Sequence, residues 1–305
     1  MKRYCFQTWM AASALWLAAC NNYVAFVPPA ELPENTTPAQ EFLDGRNFPA
    51  DSAKADVTEA DTITLGDGVV LILPKLCLER KNGAVCDCQV DVHLKLVASK
   101  KDILLFGRPT VAANSLLETG GQAMLTILHK GDTLQLKAGV KFTLKIPTKL
   151  TPADRGQMRY FTQKPPQDNW QPAGPLAELT RDYYSIESDR LDVWHSPAHA
   201  YATGKPNVRV RLSPTGGQQP DAGRIRVFVL PSGVHSVVNT VQTGGEFAAT
   251  APLPLNGEAV LVAIGKKSGL LLLAIQKTTL QPAMNFALEF KPVTPAQLEA
   301  ALLAL

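Results

Sequence analysis

The sequence predicts a mostly β protein: two antiparallel β-sandwich-like domains with a short C-terminal helix. Three observations carry that reading. From about residue 57 onward apolar residues recur with a period of two in short runs, the pattern of half-buried strands. Gly, Pro and Asn/Asp turns separate the runs at sandwich-like spacing. Only the last dozen residues combine a helix start signal with helical apolar spacing. Composition agrees with a folded chain, since 46% of the 305 residues are hydrophobic and 19% charged, an ordinary globular balance. That length suits two domains.

In chain order, residues 1–19 read as a removable secretory leader. Met1-Lys2-Arg3 is its positive start, and residues 6–19 are a mostly apolar run too short to span a ~30 Å hydrocarbon core. It closes on Leu17-Ala18-Ala19-Cys20, small residues before a cysteine, which resembles a bacterial lipobox. Cleavage there would leave Cys20 to carry a lipid and anchor the chain through acyl groups alone. Asn21 follows with no acidic residue beside it, so outer-membrane placement is expected. The net charge of +3 falls to about +1 once Lys2 and Arg3 leave, too little basic surplus for a nucleic-acid partner.

Residues 20–56, with Pro28, Pro29, Pro33, Pro38 and Pro49, read as a tether, with a short helical turn expected at Thr37-Pro38-Ala39-Gln40. The first domain is expected over 57–200. Its strands are 62–73 (one strand, or a pair bent around Gly66-Asp67-Gly68), 85–98, 122–129 and 140–146. A helical cap follows at Thr151-Pro152-Ala153-Asp154, then a strand at 158–162. The second domain, 205–305, opens after the Thr203-Gly204-Lys205-Pro206 turn, with strands at 208–212, 224–230, 259–264, 270–276 and 284–290. Thr294-Pro295-Ala296-Gln297 supplies an N-cap, a proline at the first helical position and a glutamine at the third. The helix it starts places Leu298, Ala301, Leu302 and Leu305 on one face, expected to dock on the body.

Cys77, Cys86 and Cys88 remain after the leader and the anchor are set aside. An oxidising compartment favours a disulfide, and the Lys81-Asn82-Gly83 turn suggests one from Cys77 across a hairpin to Cys86 or Cys88. Three buried thiols and a metal site are the alternatives. The C-x8-C-x-C spacing with His93 nearby has a zinc flavour. Alternation opposes His93 as a ligand, because Cys86 and Cys88 share the face of Val90 and Val92 while His93 points the other way.

The run from Gly68 to Thr148 resembles uncharacterised envelope lipoproteins of Gram-negative bacteria whose first domain is similar to the ZU5 β-sandwich. The likeness is carried by Leu73-Pro74, Asn82-Gly83, Asp102-Ile103-Leu104-Leu105, Leu116-Leu117-Glu118-Thr119-Gly120-Gly121, Ala138-Gly139 and Ile146-Pro147-Thr148. Further on, Met158-Arg159-Tyr160-Phe161 and Asn169-Trp170 resemble the segment before that family's second domain. The stretch from Leu253-Pro254 to Ile264 resembles carboxypeptidase-regulatory-like β modules. The three cysteines and Leu191-Asp192-Val193-Trp194 depart from the family pattern. The resemblance implies a fold and brings no activity.

Motifs for chemistry are missing: there is no His-Glu-x-x-His, no Gly-x-Ser-x-Gly and no Gly-x-Gly-x-x-Gly opening a helix. Gly265-Lys266-Lys267-Ser268 lies between strands and reads as a hairpin turn. His195 and His199, near Asp192, are the one close histidine pair, but Pro197 separates them and a solvated loop is expected. Seven aromatics crowd into residues 158–201. Tyr160, Trp170, Tyr183, Tyr184 and Trp194 among them could form a stacking platform for glycans or peptidoglycan, or else a small core of their own. The expectation is a non-enzymatic lipoprotein of the cell envelope acting in surface assembly or protein interaction, with a glycan-binding module as the alternative. No catalytic, cofactor or metal residue is assigned. The membrane, through the lipid, and envelope proteins or glycans are the expected partners.

Overall fold

A computed structural model describes residues 50–113, 115–151, 157–165, 169–176, 178–215, 218–221, 225–243 and 245–305. The leader, Cys20, the 37–40 turn and the cap at 152–154 lie outside them. The chain is mostly β, with several antiparallel sheets and one short helix at the C-terminal end.

The first module is two sheets face to face. One runs in the order Asp51–Asp56, Gln89–Val97, Gln122–His129, Trp194–Thr203, Arg159–Gln163, Gln171–Leu176, with Ser115–Thr119 pairing beside Trp194–Thr203. The other runs Glu178–Leu179, Tyr183–Ser188, Phe142–Pro147, Val70–Leu73, Asp61–Thr64. Alternation decides which side chains meet. Val90, Val92 and Leu94 turn inward from the first sheet, with Ile127 opposite Val92 and Leu125 opposite Leu94. They share one core with Leu71, Leu73, Phe142, Leu144, Ile146 and Ile186 from the second sheet. Residues 62–73 form the bent pair, closed by Asp67 and Gly68 at positive φ.

One boundary moves. The last six residues of the expected tether, Asp51–Asp56, are an edge strand paired antiparallel with Gln89–Val97. Of this strand Ala55 alone is fully buried, and its Asp and Lys side chains stay outside. A short, charged edge resists pairing with a further chain.

The second module is an eight-stranded sheet in the order Ala283–Glu289, Arg209–Thr215, Glu246–Ala249, Val238–Thr243, Ile225–Pro231, Glu258–Lys267, Leu270–Thr279, Lys291–Val293. All its pairings are antiparallel except Arg209–Thr215 with Ala283–Glu289. The hairpin between Glu258–Lys267 and Leu270–Thr279 turns at Ser268-Gly269, both at positive φ, so the Gly265-Lys266-Lys267-Ser268 stretch is strand and turn.

Three strands of this sheet are buried on both faces. Val227, Val229, Leu261, Ala263, Leu272 and Ala274 point into the module's own core. Their neighbours Phe228, Leu230, Val262, Ile264, Leu271 and Leu273 point the other way, into a cluster shared with the first module. The first module contributes Leu117, Phe161, Trp170 and Trp194, together with Ile103, Leu104 and Leu105 from the helix Lys100–Leu105. Two-sided burial is why these strands read as unbroken apolar runs such as Leu261-Val262-Ala263-Ile264.

The C-terminal helix Pro295–Leu303 completes the shared core with Leu298 and Leu302. Its capping box forms as expected: the Thr294 hydroxyl accepts from Gln297 N–H, and the Gln297 side chain accepts from Thr294 N–H. Leu305 stays exposed, so only part of the expected face docks. Burying Leu298 and Leu302 stabilises by roughly 1.5–3 kcal/mol each. The helix Lys100–Leu105 is unannounced by periodicity because it is under two turns long, but Ser99 caps it by accepting from Asp102 N–H. Among the described residues no helix is long and apolar enough to cross a membrane.

A common core predicts common unfolding. Ile264→Ala and Leu104→Ala, from opposite modules, should each destabilise the protein by about 2–5 kcal/mol. Calorimetry should show one transition, shifted down by either change; two independent transitions, each answering to one variant, would refute the shared core.

Candidate functional site

Four of the five candidate platform rings are interior. Tyr160, Trp170, Tyr184 and Trp194 are 7%, 1%, 0% and 3% exposed, and only Tyr183 of the five is half-buried. The platform expectation is therefore corrected. Trp170 and Trp194 fill the core between the modules, where the Trp170 indole N–H donates to Pro109 O and the Arg108 guanidinium lies 4.9 Å from the Trp194 ring. Tyr184 sits beneath Gly120, where a Cβ would fall 2.7 Å from its ring. The buried rings are thus divided between the shared core, the sandwich core and a small pair of Tyr184 with Met158, and form no single core of their own.

His195 and His199 are also placed differently from expectation. Both lie on the strand Trp194–Thr203, and neither is in a solvated loop. His195 is completely buried, stacked beside Tyr160 and edge-on to Phe142. Its Nδ1 lies 2.8 Å from the Tyr160 hydroxyl, which donates to Ser188 Oγ at 2.9 Å. This Ser-Tyr-His chain is sealed inside the sandwich, so it serves packing. Burial, assisted by the Arg190 charge, lowers the His195 pKa to about 3, and burial pushes the Tyr160 phenol up to about 12. Asp192 stays outside, paired with Arg190 and Lys164.

His199 meets a different partner. Its Nε2 lies 3.6 Å from Glu118, a buried carboxylate on the opposite strand. Glu118 belongs to Leu116-Leu117-Glu118-Thr119-Gly120-Gly121, and here that segment clasps the second module. Glu118 Oε1 accepts from the His235 backbone N–H at 3.1 Å. The His235 ring donates through Nδ1 to Thr119 O, and Thr119 N–H donates back to His235 O. One strand further, Thr110 N–H donates to Val237 O while the Thr110 hydroxyl accepts from Val237 N–H and lies 2.6 Å from the Ser236 hydroxyl. Lys100 Nζ donates to Pro231 O, and burial lowers its pKa against the opposing pull of Glu118. Burial likewise lowers the His235 pKa.

The cysteines pair otherwise than expected. Cys86 is joined to Cys88, and Cys77 is a buried free thiol. Register explains it. The Glu79–Val85 bridge and the Cys86 N–H···O Leu78 bond set Cys86 opposite Leu78, which leaves Cys77 out of phase with both candidates. Burial pushes the Cys77 thiol pKa up, so it is held as an inert thiol. His93, paired with Thr126, does point away from the cysteines. The histidine on their side is His129, and Cys86, Cys88 and His129 bring two sulfurs and a ring nitrogen within 4.8 Å of one another. Sequence reading missed His129 because it lies 41 residues beyond Cys88; only the strand register, in which Asp91 faces Leu128, brings it alongside.

Two open surface depressions of about 330 and 340 Å³ lie elsewhere, one lined by Asn169, Asn239 and Thr250, the other by Asp51, Asp67, Lys101 and Asp102. Comparison of the chain with protein-family models, with curated proteins and with solved structures finds no match.

Two outcomes follow from these buried groups. Glu118→Ala leaves the His235 N–H buried without its acceptor and should cost about 1–3 kcal/mol in urea unfolding; an unchanged midpoint would show that the clasp contributes nothing. Acid should also destabilise the fold. His195 takes a proton in the unfolded chain near pH 6.5 but in the folded chain only at about 3. Stability is therefore complete above 6.5 and falls as pH drops from there toward 3, by about 1 kcal/mol per pH unit from this group. His195→Gln should flatten the fall of Tm across that window, and an equal slope in both proteins would refute the assignment.

Proposed function

We propose that the chain is a lipid-anchored cell-envelope protein, non-enzymatic, that presents two fused β modules as one body for surface assembly or protein interaction. The observation that carries this reading is Leu17-Ala18-Ala19-Cys20 at the end of a secretory-type leader. A proline-rich stretch follows, suited to lifting a body off a membrane, and the described part of the chain begins in an edge strand on the sandwich. A disulfide between Cys86 and Cys88 fits an oxidising compartment. The absence of an acidic residue beside Cys20 favours the outer membrane. The non-enzymatic part rests on how the buried polar side chains are used: the Glu118 carboxylate and the His235 ring bond backbone groups across the junction, and Tyr160, Ser188 and His195 are sealed in the sandwich. With Tyr160, Trp170, Tyr184 and Trp194 buried, the glycan-binding alternative loses its platform.

The test is metabolic acyl labelling of cells expressing the protein or its Cys20→Ala variant, followed by fractionation and protease shaving of intact cells. Wild type should take up label and sediment with membranes, while the variant should do neither. Equal membrane retention of an unlabelled variant would overturn the anchor. Shaved peptides from the body would place it on the outer face, and protection would place it in the periplasm.

A further inference from the structure

The strand register that turns His93 away from the cysteines places His129 beside them. Asp91 faces Leu128, and continuing that antiparallel pairing by one residue sets Val90 against His129. Val90 packs in the same core cluster as Cys86 and Cys88, so all three potential ligands come together on that side of the sheet. Their ligand atoms lie within 4.8 Å of one another, and the Cα atoms of Cys86 and Cys88 are 5.4 Å apart. The His129 ring nitrogen therefore already stands within reach of both sulfurs, which are bonded in the disulfide and part once it is reduced; coordination at about 2.3 Å to sulfur and 2.0–2.1 Å to nitrogen then needs only a local adjustment of this cluster.

A second observation concerns the imidazole. His129 Nδ1 lies 3.0 Å from Gln89 O. A carbonyl only accepts, so Nδ1 carries the hydrogen, and Nε2 holds the lone pair. A backbone carbonyl on the nitrogen that does not ligate is the arrangement that orients a ligating histidine and raises its basicity. Cys86 is buried, whereas Cys88 and His129 are half-buried. An ion there would be gripped from the protein side and reachable by water from the other.

We propose that the dithiol form of Cys86 and Cys88, together with His129, is a site for one thiophilic d10 cation, zinc(II) or copper(I), and that the disulfide is its oxidised, ion-free state. Conversion follows ordinary thiol chemistry. A dithiol reductant delivers two electrons and two protons to the Cys86–Cys88 bond, which breaks to two thiols as the reductant becomes a disulfide. Cation binding then displaces both thiol protons, forms two metal–sulfur bonds and takes the His129 lone pair. Two thiolates and an imidazole form a soft donor set that selects these ions over magnesium or calcium. Cys77, absent from the cluster, takes no part.

The experiment uses the full chain with Cys5→Ser and Cys20→Ser, so that only the three body cysteines remain. Reduced protein is titrated with zinc(II) against a chromophoric chelator, with copper(I) against a copper(I)-selective one, and with cobalt(II) as a spectroscopic stand-in for zinc. The reduced chain should bind one zinc(II) or one copper(I), and cobalt(II) should show thiolate-to-metal charge transfer. His129→Ala should weaken binding by at least about tenfold. That variant retains both cysteines and its disulfide, so a purely stapling role for the pair would leave it unaffected. His129→Cys should restore binding, Cys77→Ser should leave it intact, and the oxidised chain should bind nothing. Binding of neither ion by reduced protein, or equal binding by Cys86→Ser/Cys88→Ser or by His129→Ala, would overturn the proposal.

Discussion

The structure depends on a sheet that cannot afford a wet face. In the second module the strands Ile225–Pro231, Glu258–Lys267 and Leu270–Thr279 carry apolar side chains on both sides. One side is served by the module's own core. The other needs an external cover, and the first module supplies it with Trp170, Trp194 and the helix Lys100–Leu105, while the C-terminal helix fills what remains. Hydrophobic burial, which is undirected, would let the two bodies slide across each other. Directionality comes from the Glu118–Thr119 and Thr110 hydrogen bonds to residues 235–237, which fix one docking position. The apolar contact supplies the adhesion and the polar clasp supplies the register.

This division of labour bears on how the polar residues are read. A buried Glu near two histidines, or a Ser-Tyr-His chain, has the residue types of catalysis. Here Glu118 accepts from His235 across the junction and lies 3.6 Å from His199 within the first module, while Tyr160 joins Ser188 and His195 across the sandwich. Leaving any one of them without its partner would be costly in so dry a setting. Among the described residues, Cys86, Cys88 and His129 form a different kind of cluster, at the rim and partly open to solvent.

Much of the fold was legible in the sequence because alternation is a local signal. Phe142, Leu144 and Ile146 announce their strand and its inward face, and the Thr294–Gln297 capping box announces the last helix. What was hidden depends on pairs distant in the chain. No local pattern says that Tyr184 lies under Gly120, that His129 falls beside Cys88, or that Glu118 meets His235. The aromatic segment was left open between two readings for a related reason, since composition alone does not distinguish rings stacked outward for a ligand from rings turned inward. The unbroken runs Val227-Phe228-Val229-Leu230 and Leu261-Val262-Ala263-Ile264 did hold a clue: loss of alternation meant two buried faces, and hence a second body to cover one of them.

The edge strand Asp51–Asp56 has a mechanical consequence. Under the anchor proposed above, tension from the membrane enters the body at Asp51, whose carboxylate accepts from the Gly66 backbone N–H. Load along the strand is borne by all six residue pairs with Gln89–Leu94 in shear, whereas load across it reaches them one after another. A sideways tug would therefore peel the strand and move the attachment point from Asp51 to Asp56, releasing about 20 Å of chain. The ends of the sandwich core would stay closed behind it, because Ala55 is the one fully buried side chain the strand takes away. The first give in the assembly is then an extension of the leash, with the two joined modules still folded at its end.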